Sequence, residues 1–127
     1  MNVLVVEDNK DVRTAIADVL AIRGYRVIAA ADGQEARRLS APLKGTLDLI
    51  ISDFVLPDIE GRQLYEQIVE HNPQCKALII SGYPDVSEER ATRQLEGARF
   101  LRKPFSAPEL MAHLQMLQAS PGAVPWM

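Results

Sequence analysis

The chain has 127 residues, of which 47% are hydrophobic and 24% are charged, and its formal net charge is -3. This length and composition suit a single domain with a packed core and argue against a disordered chain. The mildly acidic balance also disfavours direct nucleic-acid binding, which needs a basic surface.

The sequence shows none of the features of a membrane or secreted protein. No apolar segment reaches the roughly 20 residues needed to cross a bilayer, and the first residues lack the basic start and cleavage site of a leader. A single cysteine, Cys75, excludes an internal disulfide framework. We therefore expect a cytoplasmic protein with no membrane partner.

The first elements along the chain are a strand and a helix. Residues 2–6 are a Val-rich apolar run, typical of a strand buried on both faces, and two acids, Glu7 and Asp8, follow it directly. Apolar residues at helical spacing then predict a helix over 9–23, and Gly24 marks its end. The first strand thus delivers two carboxylates to its C-terminal end.

A second strand, a second helix and a third strand come next. The residue types predict a strand over 25–30, and Asp32 is expected to cap a helix that ends near residue 40. Residues 47–52 form an apolar run that leads directly to Asp53. An acid at the end of a buried strand is a candidate for chemistry, because ligands bind at that edge of an open parallel sheet.

Two more pairs of strand and helix complete the pattern. After the loop at 57–61, a third helix is expected to end at 71–73, and a fourth strand covers 76–80 and leads to Ser81. A mostly polar helix over 84–96 and a strand over 98–101 follow, and Lys103 comes shortly after that strand. The last helix has its apolar residues between 110 and 117. We expect one domain over residues 1–118 and a short flexible tail over 119–127.

Five alternations of strand and helix predict an α/β fold. Short loops and right-handed crossovers favour a doubly wound parallel sheet with helices on both faces. In a flavodoxin-like (βα)5 sheet, with five strands in the order 2-1-3-4-5, the first and third strands flank the switch point. This arrangement brings Glu7, Asp8 and Asp53 into one crevice.

Such a crevice suits a metal ion and phosphate. Three carboxylates stay ionised together near neutral pH only when a cation joins them, and Mg²⁺ prefers hard oxygen ligands. Ser81 offers a hydroxyl and Lys103 a compact positive charge at neighbouring strand ends, and both suit a phosphoryl group. Asp53 is the expected nucleophile, because positioning and charge neutralisation provide most of the catalysis in phosphoryl transfer.

These residues together resemble the receiver domain of two-component response regulators. The resemblance covers about residues 2–117 and rests on Glu7-Asp8, Asp53 with Leu56-Pro57 and Gly61, Ser81-Gly82, and Lys103-Pro104-Phe105. It implies a flavodoxin-like sheet and a Mg²⁺-dependent reaction. In that reaction, the phosphohistidine of a histidine kinase or histidine phosphotransfer protein donates its phosphoryl group to the aspartate.

The resemblance also implies a role for each site residue. By position, these are Asp53 as phosphoacceptor, Asp8 and Asp53 as direct Mg²⁺ ligands, the Val55 backbone carbonyl as a further ligand, Glu7 as a ligand through water, Lys103 as the partner of the phosphoryl group, and Ser81 and Phe100 as switch residues. A phenylalanine ring has no hydroxyl, so a switch at Phe100 depends on packing. The bond before Pro104 is commonly cis in such domains.

Two positions in this family tune hydrolysis of the phosphoaspartate, and here they hold Val55 and Tyr83. An apolar Val55 and a bulky Tyr83 are expected to restrict the attacking water. The sequence therefore predicts a long-lived phosphorylated form.

The expected function is a phosphoacceptor that switches a protein-binding surface. It is not an enzyme in the usual sense, since it catalyses only its own phosphorylation and dephosphorylation. The surface formed by the fourth helix, fifth strand and fifth helix is expected to contact an unknown downstream protein or a second copy of the chain. Only ten residues follow Leu117, which disfavours an attached DNA-binding domain. The chain is a single-domain regulator or the C-terminal receiver of a hybrid histidine kinase.

Three other functions fit these residues less well. A degenerate receiver that binds partners without phosphorylation is the main alternative, although the intact acids, Ser81 and Lys103 disfavour it. A Mg²⁺-dependent phosphatase needs a second aspartate two positions after the nucleophile, where this chain has Val55. A flavin-binding electron carrier needs a phosphate loop after the first strand, where residues 9–11 read Asn-Lys-Asp.

Overall fold

The computed structural model describes residues 1–82 and 86–119. Within this part of the chain, five parallel strands alternate with five α-helices. The strands are β1 (Asn2–Val6), β2 (Arg26–Ala30), β3 (Leu47–Asp53), β4 (Lys76–Ser81) and β5 (Ala98–Arg102). The helices are α1 (Lys10–Ile22), α2 (Gly33–Ser40), α3 (Gly61–His71), α4 (Val86–Arg93) and α5 (Ala107–Ala119), and a short 3-10 helix covers Ala41–Leu43.

The strands pair in the order β2-β1-β3-β4-β5, and every pair is parallel. This order confirms the predicted flavodoxin-like, doubly wound sheet. The register pairs Val6 with Ser52, and Asp53 with Ile80. The C-terminal ends of β1, β3 and β4 therefore lie side by side at one edge of the sheet.

Each face of the sheet carries its own hydrophobic cluster. Because successive strand residues point to opposite faces, β1 places Val3 and Val5 in one cluster and Leu4 and Val6 in the other. The first cluster includes residues of α1 and α5, and the second includes residues of α2 and α3. Burial on both faces explains why the central strands read as nearly continuous apolar runs.

Several helix ends differ from the sequence prediction. Helix α4 ends at Arg93 rather than near residue 96, and the chain then turns through Gly97, whose φ of +77° is the left-handed region that glycine adopts without strain. Helix α5 covers Ala107–Ala119 and so contains the predicted apolar positions, and at its start the Ser106 hydroxyl accepts a hydrogen bond from the Glu109 amide. Most of the predicted tail lies outside the described residues.

Across residues 1–82 and 86–119, no helix combines the length and the apolar character that a bilayer span requires.

Candidate functional site

A cavity of about 1220 Å³ lies at the C-terminal edge of the sheet. Its lining includes four of the side chains that the sequence placed at strand ends: Glu7, Asp53, Ser81 and Lys103. Asp8 and Val55 line it as well. Parallel strands in this order bring together residues that are far apart in the chain, as expected for a ligand site at a switch point.

The acidic cluster of Glu7, Asp8 and Asp53 forms as the sequence predicts. One carboxylate oxygen from each residue lies within 4.8 Å of the others. Glu7 and Asp53 are buried, whereas Asp8 is exposed. Three carboxylates at this separation repel one another, and burial strengthens the repulsion.

Lys103 provides the positive charge that faces this cluster. Its Nζ donates a hydrogen bond of 2.8 Å to Glu7 Oε1 and forms an ion pair with Asp53 Oδ1, also at 2.8 Å. Burial lowers the pKa of Lys103, but the interactions with Asp53 and Glu7 outweigh it, so the pKa is raised overall. Lys103 is therefore a fully charged ammonium at neutral pH.

Burial also raises the pKa of Asp53, to about 8, and the neighbouring Glu7 carboxylate adds to the shift. Lys103 acts in the opposite direction but does not cancel it. Burial and the Glu7 carboxylate thus outweigh the Lys103 ammonium and favour a proton on Asp53.

The donor set fits a hard divalent cation. Among the described residues, Glu7 Oε2 has no hydrogen-bond partner although it is fully buried. A buried carboxylate oxygen without a partner is costly, and a cation in the cluster would satisfy it. Carboxylate oxygens are the ligands that Mg²⁺ prefers, and exposed Asp8 leaves room for the waters that this ion retains.

Val55 lies in a tight turn that follows β3. Residues 55 and 60 form an antiparallel bridge, and the Leu56 amide donates a hydrogen bond to the Ile59 carbonyl oxygen. The Val55 side chain is 66% exposed. An apolar side chain therefore stands at the open side of the cavity next to Asp53.

Asp58, at the tip of this turn, has a role that sequence analysis missed. Its two carboxylate oxygens accept hydrogen bonds from the Gly33 and Gln34 amides, at 2.8 and 2.9 Å, at the N-terminus of α2. These bonds lower the pKa of Asp58, the Gly33 bond being the largest cause. The predicted cap, Asp32, accepts from the next amide, that of Glu35. An aspartate after a proline indicates a turn, but no local signal identifies a partner 25 residues away.

Glu88 is a second residue that sequence analysis did not place at the site. The Ser81 hydroxyl donates a hydrogen bond of 3.0 Å to Glu88 Oε1, and both residues line the cavity. Glu88 lies in α4, in a run of charged residues that reads as a solvated helix face. Only the packing of α4 against the sheet, where it contacts β5, brings this carboxylate to the Ser81 hydroxyl.

The other predicted site residues occupy different surroundings. Phe100 is partly buried against the cluster that also contacts Ala91 and Leu95. The peptide bond between Lys103 and Pro104 is cis. Tyr83 lies outside the described residues.

Comparison with known proteins gives a consistent result. The model of the response regulator receiver domain matches residues 3–115. The sensor kinase CckA of Brucella abortus is 36% identical over 108 residues, which are 85% of this chain and 11% of that protein. The response regulator MprA of Mycolicibacterium vanbaalenii is 30% identical over 117 residues, which are 92% of this chain and 50% of that protein. The chain thus spans half or less of the length of these relatives.

Solved structures show the same similarity. The receiver domain of the hybrid histidine kinase CckA matches with a TM-score of 0.78 and 33% identity, covering 92% of this chain and 98% of that one. The non-phosphorylated receiver domain of HemR from Leptospira biflexa matches with a TM-score of 0.82 and 28% identity, covering 94% and 95%.

Proposed function

The chain belongs to the response regulator receiver domain family, and from this premise we propose that it accepts a phosphoryl group on Asp53. The donor is the phosphohistidine of a histidine kinase or a histidine phosphotransfer protein, the partners with which receiver domains interact. One observation carries the proposal. Asp53 ends the central strand beside two further acids, with the Lys103 ammonium 2.8 Å from its carboxylate.

The proposed transfer assigns a task to each side chain. An Asp53 oxygen forms a bond to phosphorus while the bond from phosphorus to the histidine nitrogen breaks, and that nitrogen keeps the electron pair. Lys103 contacts a phosphoryl oxygen and stabilises its charge. Ser81 donates its hydroxyl to another phosphoryl oxygen.

Mg²⁺ is the proposed cofactor, in keeping with the acidic pocket at which receiver domains bind this ion. Asp8, Asp53 and the Val55 backbone carbonyl hold it directly, and Glu7 holds it through water. The bound ion supplies positive charge that neutralises the phosphoryl oxygens. The partnerless Glu7 oxygen and the spacing of the three carboxylates support this assignment.

The proposed output is a change in a protein-binding surface rather than turnover of a substrate. Ser81 and Phe100 are the switch residues, and the surface formed by α4, β5 and α5 contacts a downstream protein or a second copy of the chain. The proposed receiver covers residues 1–118 and acts in the cytoplasm, without membrane or nucleic-acid contact. If the chain is part of a hybrid kinase, the kinase activity lies outside it.

Mass spectrometry tests the proposal directly. The purified protein is incubated with Mg²⁺ and acetyl phosphate, and its intact mass is followed beside Asp53→Asn, which keeps the side-chain shape but removes the nucleophile. We expect the wild type alone to gain one phosphoryl group, and only with Mg²⁺. If a folded wild type that binds Mg²⁺ gains nothing, the chain is instead a degenerate receiver that binds partners without phosphorylation.

A further inference from the structure

We propose that Glu88 holds the Ser81 hydroxyl in the unphosphorylated protein and competes for it with the phosphoryl group on Asp53. Phosphorylation then breaks the hydrogen bond that ties α4 to the end of β4. This inference rests on the proposed function, because it concerns the same site, but it assigns a role to a residue outside the motifs that define the family.

The Ser81 hydroxyl cannot donate to Glu88 and to a phosphoryl oxygen at the same time. A serine hydroxyl carries one proton and donates one hydrogen bond. Ser81 Oγ already donates to Glu88 Oε1, at 3.0 Å. Ser81 therefore binds a phosphoryl oxygen as a donor only after it releases Glu88.

Charge acts in the same direction. A phosphoryl group brings about two negative charges into the cavity that Glu88 also lines. Like charges in a partly buried cavity are screened less than in bulk water, so the two groups repel each other. Glu88 loses the hydrogen bond from the Ser81 hydroxyl and is also repelled by the phosphoryl group. Both effects favour movement of Glu88 away from β4.

Helix α4 is itself weakly anchored. Among the described side chains of this helix, Thr92 alone is fully buried, and Ala91 is partly buried against the core. The Thr92 hydroxyl donates its hydrogen bond to the Glu88 carbonyl oxygen, within the same helix. Helix α4 packs mainly against β5, so the charged hydrogen bond from Ser81 links it to the end of β4, and loss of this contact should loosen the helix.

The chain offers a matched control in the next residue. Glu89 has the same charge and lies on the same helix, but it forms an ion pair with Arg93 Nη2 at 2.6 Å and does not line the cavity. If the loss of any negative charge from α4 has an effect, that effect appears in both Glu88→Ala and Glu89→Ala. An effect through Ser81 appears only at Glu88.

Beryllofluoride with Mg²⁺ serves as the probe, because it mimics a phosphoryl group on an aspartate without turnover. Its affinity is measured by calorimetry for wild type, Glu88→Ala and Glu89→Ala, each alone and combined with Ser81→Ala. We expect Glu88→Ala to bind roughly 10- to 150-fold more tightly, the range for one hydrogen bond to a charged group, and Glu89→Ala to bind within twofold of wild type. When Ser81 is also replaced by alanine, the increase in affinity caused by Glu88→Ala should fall to less than a third of its value with Ser81 present. An unchanged affinity in Glu88→Ala, or an undiminished gain without Ser81, overturns the proposal.

Hydrogen exchange without any ligand gives an independent test. We expect the amides of α4 to exchange faster in Glu88→Ala than in wild type, whereas Glu89→Ala should match wild type. Equal exchange in all three proteins overturns the proposal, and Glu88→Met, which keeps the length of the side chain but has no acceptor oxygen, serves if the alanine variant does not fold. If the wild type fails to bind beryllofluoride, the proposed function fails, and hydrogen exchange still decides whether Glu88 holds α4.

Discussion

A Cβ atom on Gly61 would overlap the backbone carbonyl oxygen of Asp53. The last residue of β3 and the first residue of α3 are therefore in direct backbone contact, and the Gly61 amide donates a hydrogen bond of 2.7 Å to the Phe54 carbonyl oxygen. No side chain fits between them. The position of the candidate phosphoacceptor thus depends on a glycine eight residues further along the chain.

Gly61→Ala should be among the most damaging small substitutions in this protein. The new methyl group meets backbone rather than a flexible side chain, so β3 or α3 must shift, at a cost of roughly 1–3 kcal/mol. Urea denaturation measures the loss in free energy of unfolding. Gly82→Ala is the control, because among the residues that the structure describes a Cβ there meets only Lys103 Cδ, at 3.9 Å. Equal effects of the two substitutions would disprove the steric explanation.

Lys103→Met should separate metal binding from phosphorylation. Loss of the ammonium leaves Glu7 and Asp53 without their cation, so Mg²⁺ should bind more tightly in calorimetry. The rate of phosphorylation by acetyl phosphate should nevertheless fall by roughly 100-fold, as for loss of one preorganised charge contact. A variant that loses Mg²⁺ affinity and rate together would show that Lys103 mainly maintains the structure of the site.

Mg²⁺ affinity should increase with pH. In the metal-free protein Asp53 has a pKa of about 8, so the ion must displace a proton at lower pH. Calorimetry should show the dissociation constant falling as pH rises from 6 to 8 and levelling off above that. Asp53→Asn removes the titrating group, and a persistent pH dependence in that variant would assign the effect to another residue.

The same pKa predicts how the stability of the metal-free protein depends on pH. Asp53 holds its proton more tightly in the folded state, with a pKa of about 8, than at its ordinary value of 3.8. The stabilisation that Asp53 contributes to the free energy of unfolding is therefore fully present below about pH 4 and is lost as pH rises through 8. Urea denaturation at several pH values should show this decrease in wild type but not in Asp53→Asn.

Asp58→Ala should weaken Mg²⁺ binding, whereas Asp32→Ala should not. Both aspartates accept hydrogen bonds from amides at the start of α2, so each substitution should cost roughly 1 kcal/mol of stability. Only Asp58 belongs to the turn that contains Val55. Loss of its side chain removes the hydrogen bonds that hold this turn against the start of α2. Calorimetry should therefore show severalfold weaker Mg²⁺ binding for Asp58→Ala alone, and equal affinities would show that the turn keeps its conformation without this contact.

Val55→Asn combined with Tyr83→Glu should shorten the lifetime of the phosphorylated protein. The Val55 side chain is apolar and exposed at the cavity, where a polar group can orient an attacking water. The decay of the phosphorylated mass after removal of acetyl phosphate measures the lifetime. An unchanged decay would show that these two positions do not limit access of water here.

The doubly wound parallel sheet and the members of the acidic cluster followed from the sequence because their signals are local, whereas the strand order was implied by the resemblance to receiver domains. An apolar run such as residues 47–52 indicates a strand buried on both faces, and the alternation of strands and helices restricts the sheet to few topologies. Acids or a lysine directly after such runs must then meet at one edge. Glu7, Asp53 and Lys103 were identified in this way, and their side chains lie together in the structure.

Only the tertiary structure decided which partners those side chains take. The hydrogen bond from Ser81 to Glu88 depends on how α4 packs against the sheet, and the contact of Asp58 with Gly33 joins the turn after β3 to the start of a helix 25 residues earlier in the chain. The sequence pattern around Glu88 and Asp58 is typical of surface charges, because such a pattern shows the polarity of a residue but not the direction of its side chain. The sequence by itself thus determined the fold and the composition of the site, while packing determined the contacts that position and restrain it.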